Sequence, residues 1–205
     1  MNYTELSAAI TEFLENDETT FVSNIPTFVR LAEKRVFVAL KLPAQRRNVT
    51  GTMTADNRFL TLPSNTLKVL SLQFTNSGSV AVVDKKDPTF IREAYPDPTE
   101  TGAPTYYAVY DEDSLLLGPT PDANYATELQ YDGLPDSIVD VATTWVGNNL
   151  DRLLLYACLV EGYTFMKGDA DVLATYEGAF REELEKAALK VQSGAYRQDE
   201  YRAGG

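Results

Sequence analysis

Residues 150–166, LDRLLLYACLVEGYTFM, are apolar on nearly every side of a helix, and this stretch decides the fold. A helix without a polar face has to be surrounded, so it reads as the centre of a bundle whose other members come from elsewhere in the chain. Partners are legible at both ends. In TELSAAITEFLEN (4–16), Leu6, Ile10, Phe13 and Leu14 recur at helical spacing, with Asn2 and Glu5 in the relation of a capping box. In NIPTFVRLAEKRVFVAL (24–40), Asn24 is a candidate cap and Pro26 suits an early helical position. Phe28, Leu31, Ala32, Val36, Ala39 and Leu40 share a face, and Pro43 closes the segment. TTWVGNN (143–149) reads as a short helix or turn, and Gly168 ends the central helix. The last helix, DVLATYEGAFREELEKAALKV (171–191), sets Leu173, Tyr176, Phe180, Leu184, Ala187 and Val191 in one stripe.

Between these helical ends the pattern changes. From Arg46 to Tyr131 short β-rich runs alternate with Gly, Pro, Asn and Asp, the grammar of antiparallel hairpins. The runs are NVTGTMT, RFLTLP, LKVLSLQF, SVAVV, TYYAVY, SLLLGP and YATELQY, with turns at 55–57, 76–79, 111–113 and around Pro119, Pro121 and Asp122. DPTFIREAY (87–95) is too polar for a strand and predicts a helical turn crossing the sheet. The expected class is α+β: a four-helix bundle formed by both chain ends (1–42 and 143–192), an inserted antiparallel β-sandwich or barrel-like domain (43–142), and an extended carboxy-terminal arm (193–205).

Composition narrows the function. The 205 residues include no histidine and one cysteine, Cys158. Catalytic Ser-His-Asp and Cys-His arrangements, HExxH zinc sites, internal disulfides and zinc knuckles are therefore excluded, and a reducing cytosol is the expected site of synthesis. No Walker A, GxGxxG or EF-hand pattern occurs, so neither a cofactor nor a bound metal is expected, and an enzyme is not the reading favoured. The longest apolar run, Leu153 to Val160, is far short of the roughly twenty residues a bilayer span needs. The pairs Asp111 with Asp113, Asp169 with Asp171, and Glu182 with Glu183 read as turn, helix-start and exposed-face chemistry rather than acid–base sites. Asn2 and Asn48 match the glycosylation pattern only by chance, and Cys158 reads as a packing residue. Glu161, inside the most apolar helix, calls for an arginine partner such as Arg35. Tyr106, Tyr107, Tyr110, Tyr125 and Tyr131 fall in the strands and read as core and rim packing rather than a base-stacking platform, because the acidic surroundings repel phosphates.

The net charge of −12 is uneven along the chain. Residues 84–140 hold 13 acids and 3 bases, whereas Arg30, Lys34, Arg35, Lys41, Arg46 and Arg47 form a basic stretch interrupted only by Glu33. One reading is an acidic pole of one copy meeting the basic stretch of a neighbour, a heterologous contact of the kind that builds rings. The other is two unrelated solvated faces. The tail AYRQDEYRAGG (195–205) carries Tyr196, Arg197, Tyr201 and Arg202, residue types favoured at interfaces, and reads either as an arm that orders on a partner or as a frayed terminus.

In order along the chain, NIPTFVRLAEKRVFVAL (24–40), GAPTYYAVYDEDSLLLGPTPDANYATELQYDGLP (102–135) and TTWVGNNLDRLLLYACLVEGYTFMKGDADVLATYEGAFREELEKA (143–187) resemble the head-to-tail adaptor, or connector, proteins of tailed bacteriophages. The resemblance implies a virion structural protein, made in the host cytoplasm and located at the head–tail junction. It implies a ring, commonly dodecameric, beneath the portal protein and joined to a tail tube or nozzle protein, with genomic DNA passing through the channel. It also implies that the helical part forms the ring body, that the arm from Gly194 reaches the portal, and that tail-facing loops include Asp111, Glu112, Asp113, Pro119, Pro121 and Asp122. The family carries no catalytic residue to transfer. A second reading from another class is an acidic DNA mimic that binds a nucleic-acid enzyme; the clustering of the acids in turns speaks against it.

Overall fold

The computed structural model describes residues 1–203, with the side chains of Pro43 and of 192–203 outside the described set. The arm residues Tyr196, Arg197, Tyr201 and Arg202 thus fall outside the described side chains. The chain is α+β and divides into two compact units, Met1–Pro43 with Asp136–Gly205, and Ala44–Pro135.

The first unit is helical. α1 (Tyr3–Leu14) opens on the expected capping box, in which Asn2 and Glu5 each bond the other's backbone N–H. α2 (Thr19–Ala39) starts five residues before Asn24. Asn24 is therefore not its cap; its side-chain amide donates to the Thr20 carbonyl, and Pro26 lies inside the helix. Burial explains the extension: Phe21 and Ile25 lie fully in the core, and their burial outweighs the backbone hydrogen bond lost at Pro26. The buried residues are Phe21, Ile25, Phe28, Val29, Ala32, Glu33, Val36 and Phe37, and the expected Leu31 and Ala39 lie outside them.

After the β-unit come α4 (Ile138–Val141), α5 (Trp145–Asn149), α6 (Asp151–Met166) and α7 (Ala170–Ala203). α4 precedes the expected helical restart at 143, and Ser137 and Thr144 cap α4 and α5. α6 is the central helix and packs against α1, α2, α5 and α7. Lys167, rather than Gly168, takes the left-handed conformation that ends it (φ 54°). Gly168 is needed for a different reason: a Cβ there would fall 2.3 Å from the Tyr163 ring. α7 buries or half-buries the expected stripe Leu173, Tyr176, Phe180, Leu184, Ala187 and Val191.

The second unit is built on nine strands: β1 (Arg46–Met53), β2 (Phe59–Thr61), β3 (Thr66–Asn76), β4 (Ser79–Lys85), β5 (Thr101–Gly102), β6 (Tyr106–Val109), β7 (Ser114–Gly118), β8 (Thr120–Pro121) and β9 (Tyr125–Gly133). All seven runs read from the sequence are strands of one sheet, in the order β1-β9-β3-β4-β6-β7-β2, while β5 and β8 form a small second sheet. The sheet is not wholly antiparallel. β4 and β6 are parallel (Asp84↔Tyr106, Lys85↔Tyr107), as are β5 and β8. The physical reason is α3 (Pro88–Ala94), which begins on its Asp87 cap and carries the chain between β4 and β6, because a parallel pair needs a crossover rather than a hairpin. Met53 of edge strand β1 and Leu60 of edge strand β2 meet in one core with Leu72, Phe74, Val83, Tyr107, Leu115 and Leu129. A flat sheet cannot bring its two edges together, so this one curls into a nearly closed barrel.

Candidate interaction surfaces

Arg35 of α2 joins three helices of the helical unit. Its Nη2 lies 2.9 and 2.8 Å from the two carboxylate oxygens of Glu177 on α7, and its Nη1 lies 3.8 Å from Glu161 on α6. The guanidinium also stacks 4.4 Å from the Phe180 ring centroid. The Arg35 partner expected for Glu161 is present, and Glu177 is the nearer acid. Three helices meet on one cation, which solves the problem of an acid inside an apolar helix. Arg35→Ala is expected to cost about 1–2 kcal/mol, a figure held down because the cluster is partly exposed to solvent. Urea titration of the variant measures it, and Arg35→Lys should recover only part of the loss because a lysine has no planar fork.

Glu33 was not singled out by sequence reasoning as a site, although an acid among buried positions of α2 was the available signal. It is 3% exposed, accepts from the Ile138 N–H at 2.9 Å, and takes the Ser137 hydroxyl as a second donor. Burial pushes its carboxyl above the ordinary range; Asp140 adds to that shift, while the two hydrogen bonds and Arg30 oppose it. Cys158 is fully buried, and burial, together with Glu33 and Glu161, pushes its thiol well up. It is a packing residue of α6.

The basic stretch is already partly spent within the chain. Arg30 pairs with Asp140 at 2.7 Å and Arg35 with Glu177, while Arg46 sits directly across from Asp132 in the β1/β9 register. Arg47, across from Tyr131, is half-buried; Lys34 is exposed. The run of acids at 84–140 is also divided by the fold. The helical unit holds 18 acids and 11 bases and the barrel unit 12 and 7, so both are net acidic.

The two candidate tail-facing loops lie at opposite ends of the barrel strands. Tyr110–Asp113 joins β6 to β7, and Asp111 and Glu112 line a groove with Leu62, Thr66, Lys68 and Lys85, at the end where β1 begins and β9 finishes. There Asp111 accepts from the Ser114 hydroxyl at 2.7 Å and the Asp113 N–H at 3.0 Å; the hydroxyl bond holds its carboxyl below the usual range. Pro119, Pro121 and Asp122 sit at the other end, beside the β1–β2 turn. The Asp56 N–H donates to Pro121 O, and the Ala55 N–H to the Asn124 side chain. Asp122 accepts from the Tyr125 hydroxyl at 2.6 Å, which pushes that phenol up. The strand tyrosines divide as packing residues do: Tyr107, Tyr125 and Tyr131 are buried in the barrel core, whereas Tyr106 meets Phe90 and Tyr95, and Tyr110 meets Phe59.

Among the described residues no three His, Cys, Asp or Glu are grouped to hold a metal ion, and no helix is long and apolar enough to cross a membrane. A family model described as SU10 adaptor protein matches residues 1–204, and the chain belongs to that family. This agrees with the resemblance to phage head-to-tail adaptors. Comparison with curated proteins gives no match.

Proposed function

We propose that this phage adaptor is the head-to-tail adaptor of the virion, forming a dodecameric ring between the portal protein and a tail tube or nozzle protein, with an axial channel for the genome. The observation that carries the reading is the family match over residues 1–204. In this reading α1, α2, α6 and α7 act as one four-helix bundle and build the ring body. The arm, with Tyr196, Arg197, Tyr201 and Arg202, reaches the portal. Tail contact is assigned first to the end holding Pro119, Pro121 and Asp122, the end of the barrel strands distant from the unit's two chain connections at Ala44 and Pro135. Both units carry an excess of acid, which suits a channel through which DNA slides without adhering, because like charge repels phosphates and offers no counterion release.

Electron microscopy of virions, with mass measurement of portal and adaptor produced together, tests the reading. A ring at the head–tail junction is expected; absence of the chain from that junction overturns it. Removing residues 194–205 is expected to leave the monomer folded and to weaken portal attachment at least about tenfold, the scale of losing hot-spot side chains. Unchanged binding by the truncated chain would remove the arm from the mechanism.

A further inference from the structure

The first 47 residues are more sharply polarised than the chain as a whole. Residues 1–23 contain five acids and no base, and residues 24–47 contain six bases and one acid, the buried Glu33. The fold turns this order into two surface patches within the helical unit. The first lies at the corner between α1 and α2, where Glu12, Glu15, Asp17 and Glu18 are all exposed around Phe13, itself 52% exposed. The second runs along the outward stripe of α2 and just beyond it. Arg30, Leu31, Lys34, Val38 and Lys41 recur there at helical spacing, with Leu31 46% and Val38 87% exposed.

Each patch pairs charges of one sign with apolar side chains that nothing in the described chain covers. No ion pair among the described residues involves Glu12, Glu15, Asp17, Glu18, Lys34 or Lys41; Arg30 alone is engaged, with Asp140. The patches are complementary in sign and alike in apolar content. Along α2 the corner at Glu18 and the near end of the stripe at Arg30 are about 18 Å apart, and Glu18 and Lys34 about 24 Å, so the two patches cannot meet within a chain. The complement of each patch is therefore the other patch of a second copy.

From this complementarity we infer that copies of the chain associate head to tail, with the α1–α2 corner of one copy, centred on Phe13, Glu15 and Glu18, seated on the α2 stripe of the next, centred on Leu31, Lys34 and Val38. Such a contact is heterologous: every copy uses one patch of each kind, so it propagates and makes a ring when the rotation closes. The apolar residues supply the area removed from water. The lysines and acids set direction and exclude like-with-like pairing, since two copies of one patch repel. The inference rests on the ring reading above and names its contact.

The test uses two full-length variants, Glu12→Lys/Glu15→Lys/Glu18→Lys, which leaves only Asp17 acidic in the corner and makes that patch net basic, and Lys34→Glu/Lys41→Glu, measured by mass photometry alone and with co-produced portal protein. The wild-type chain is expected to form rings, and each variant by itself is expected to lose ring formation at least about tenfold, because its two patches then carry the same sign. Mixing the two variants is expected to restore rings of strictly alternating copies, since each altered patch meets its complement on the other variant. A purely structural defect would not be rescued by mixing. All five positions are exposed; should a reversal still perturb folding, the neutral variants Glu12→Gln/Glu15→Gln/Glu18→Gln and Lys34→Gln/Lys41→Gln replace them, expected to give weaker rings with a flatter salt dependence. Wild-type rings together with unaffected variant rings, or no rescue on mixing folded variants, overturn this contact and leave the ring reading standing. A wild-type chain that stays monomeric with portal present overturns the ring reading and the contact with it.

Discussion

Replacing Phe21 by alanine is expected to destabilise the helical unit by about 3–5 kcal/mol, the range for removing a fully buried ring. Phe21 is 1% exposed and lies where three helices meet. Its ring centroid is 5.5 Å from that of Phe28 and 6.3 Å from that of Phe165 on α6. A Cβ added to Gly162 would fall 3.5 Å from its Cζ and 2.8 Å from Leu14 of α1. Gly162 therefore lets α1 and α2 approach α6 closely, and it has no side chain to move into the space a lost ring leaves. The only tryptophan, Trp145, lies in α5 of the same unit, so its fluorescence during urea denaturation reports on this unit directly. Phe21→Leu should recover most of the loss. A cost below about 1 kcal/mol for the alanine variant would show that the site collapses and that Phe21 does not set the start of α2.

Glu33 carries the second large effect, and its two simplest replacements are expected to act in opposite senses. Glu33→Ala leaves the Ile138 N–H buried without its acceptor and opens a small cavity, at a cost of about 2–4 kcal/mol. Glu33→Gln retains an acceptor oxygen and removes the charge, so it should match or exceed wild-type stability at neutral pH. The pH dependence follows from the direction of the shift. Burial raises the Glu33 pKa in the folded state, so the native protein holds this proton more tightly than the unfolded chain. The stability it contributes is fully present below the ordinary carboxylate pKa and is lost as pH rises through the raised value. The difference in unfolding free energy between Glu33→Gln and wild type should therefore grow from acid toward neutral pH. A difference that stays constant over about pH 4–8 would mean that Glu33 titrates as an ordinary carboxylate.

Much of the fold is legible because periodicity records burial. The seven strand runs, the capping box at Asn2 and Glu5, the helical crossover at 87–95 and the α7 stripe all follow from spacing that only one kind of element satisfies. The errors occur where a local signal competes with packing. Asn24 and Pro26 look like a helix start, yet the core claims Phe21 and Ile25 ahead of them. Gly168 looks like a helix stop, yet Lys167 takes the left-handed turn and Gly168 makes room for Tyr163. The parallel pairing of β4 with β6 is invisible in either strand, because it depends on where α3 delivers the chain. The interaction surfaces were the least legible, since a charge run in sequence does not say which charges the fold will pair. Asp140 answers Arg30 from 110 residues away, and the acids of 84–140 divide between two units.

The sequence by itself determined the alternation of helical ends and β-rich middle and the absence of histidine chemistry. Each depends on residue type and local spacing, which folding does not alter. The tertiary structure alone decided that the sheet curls until Met53 and Leu60 share a core, that Glu33 is buried against Ile138, and that the two turn clusters stand at opposite ends of the barrel strands. It also decided which charges of α1 and α2 remain without partners. These depend on which distant segments fill the same space, and close packing of the whole chain, rather than any local preference, selects them.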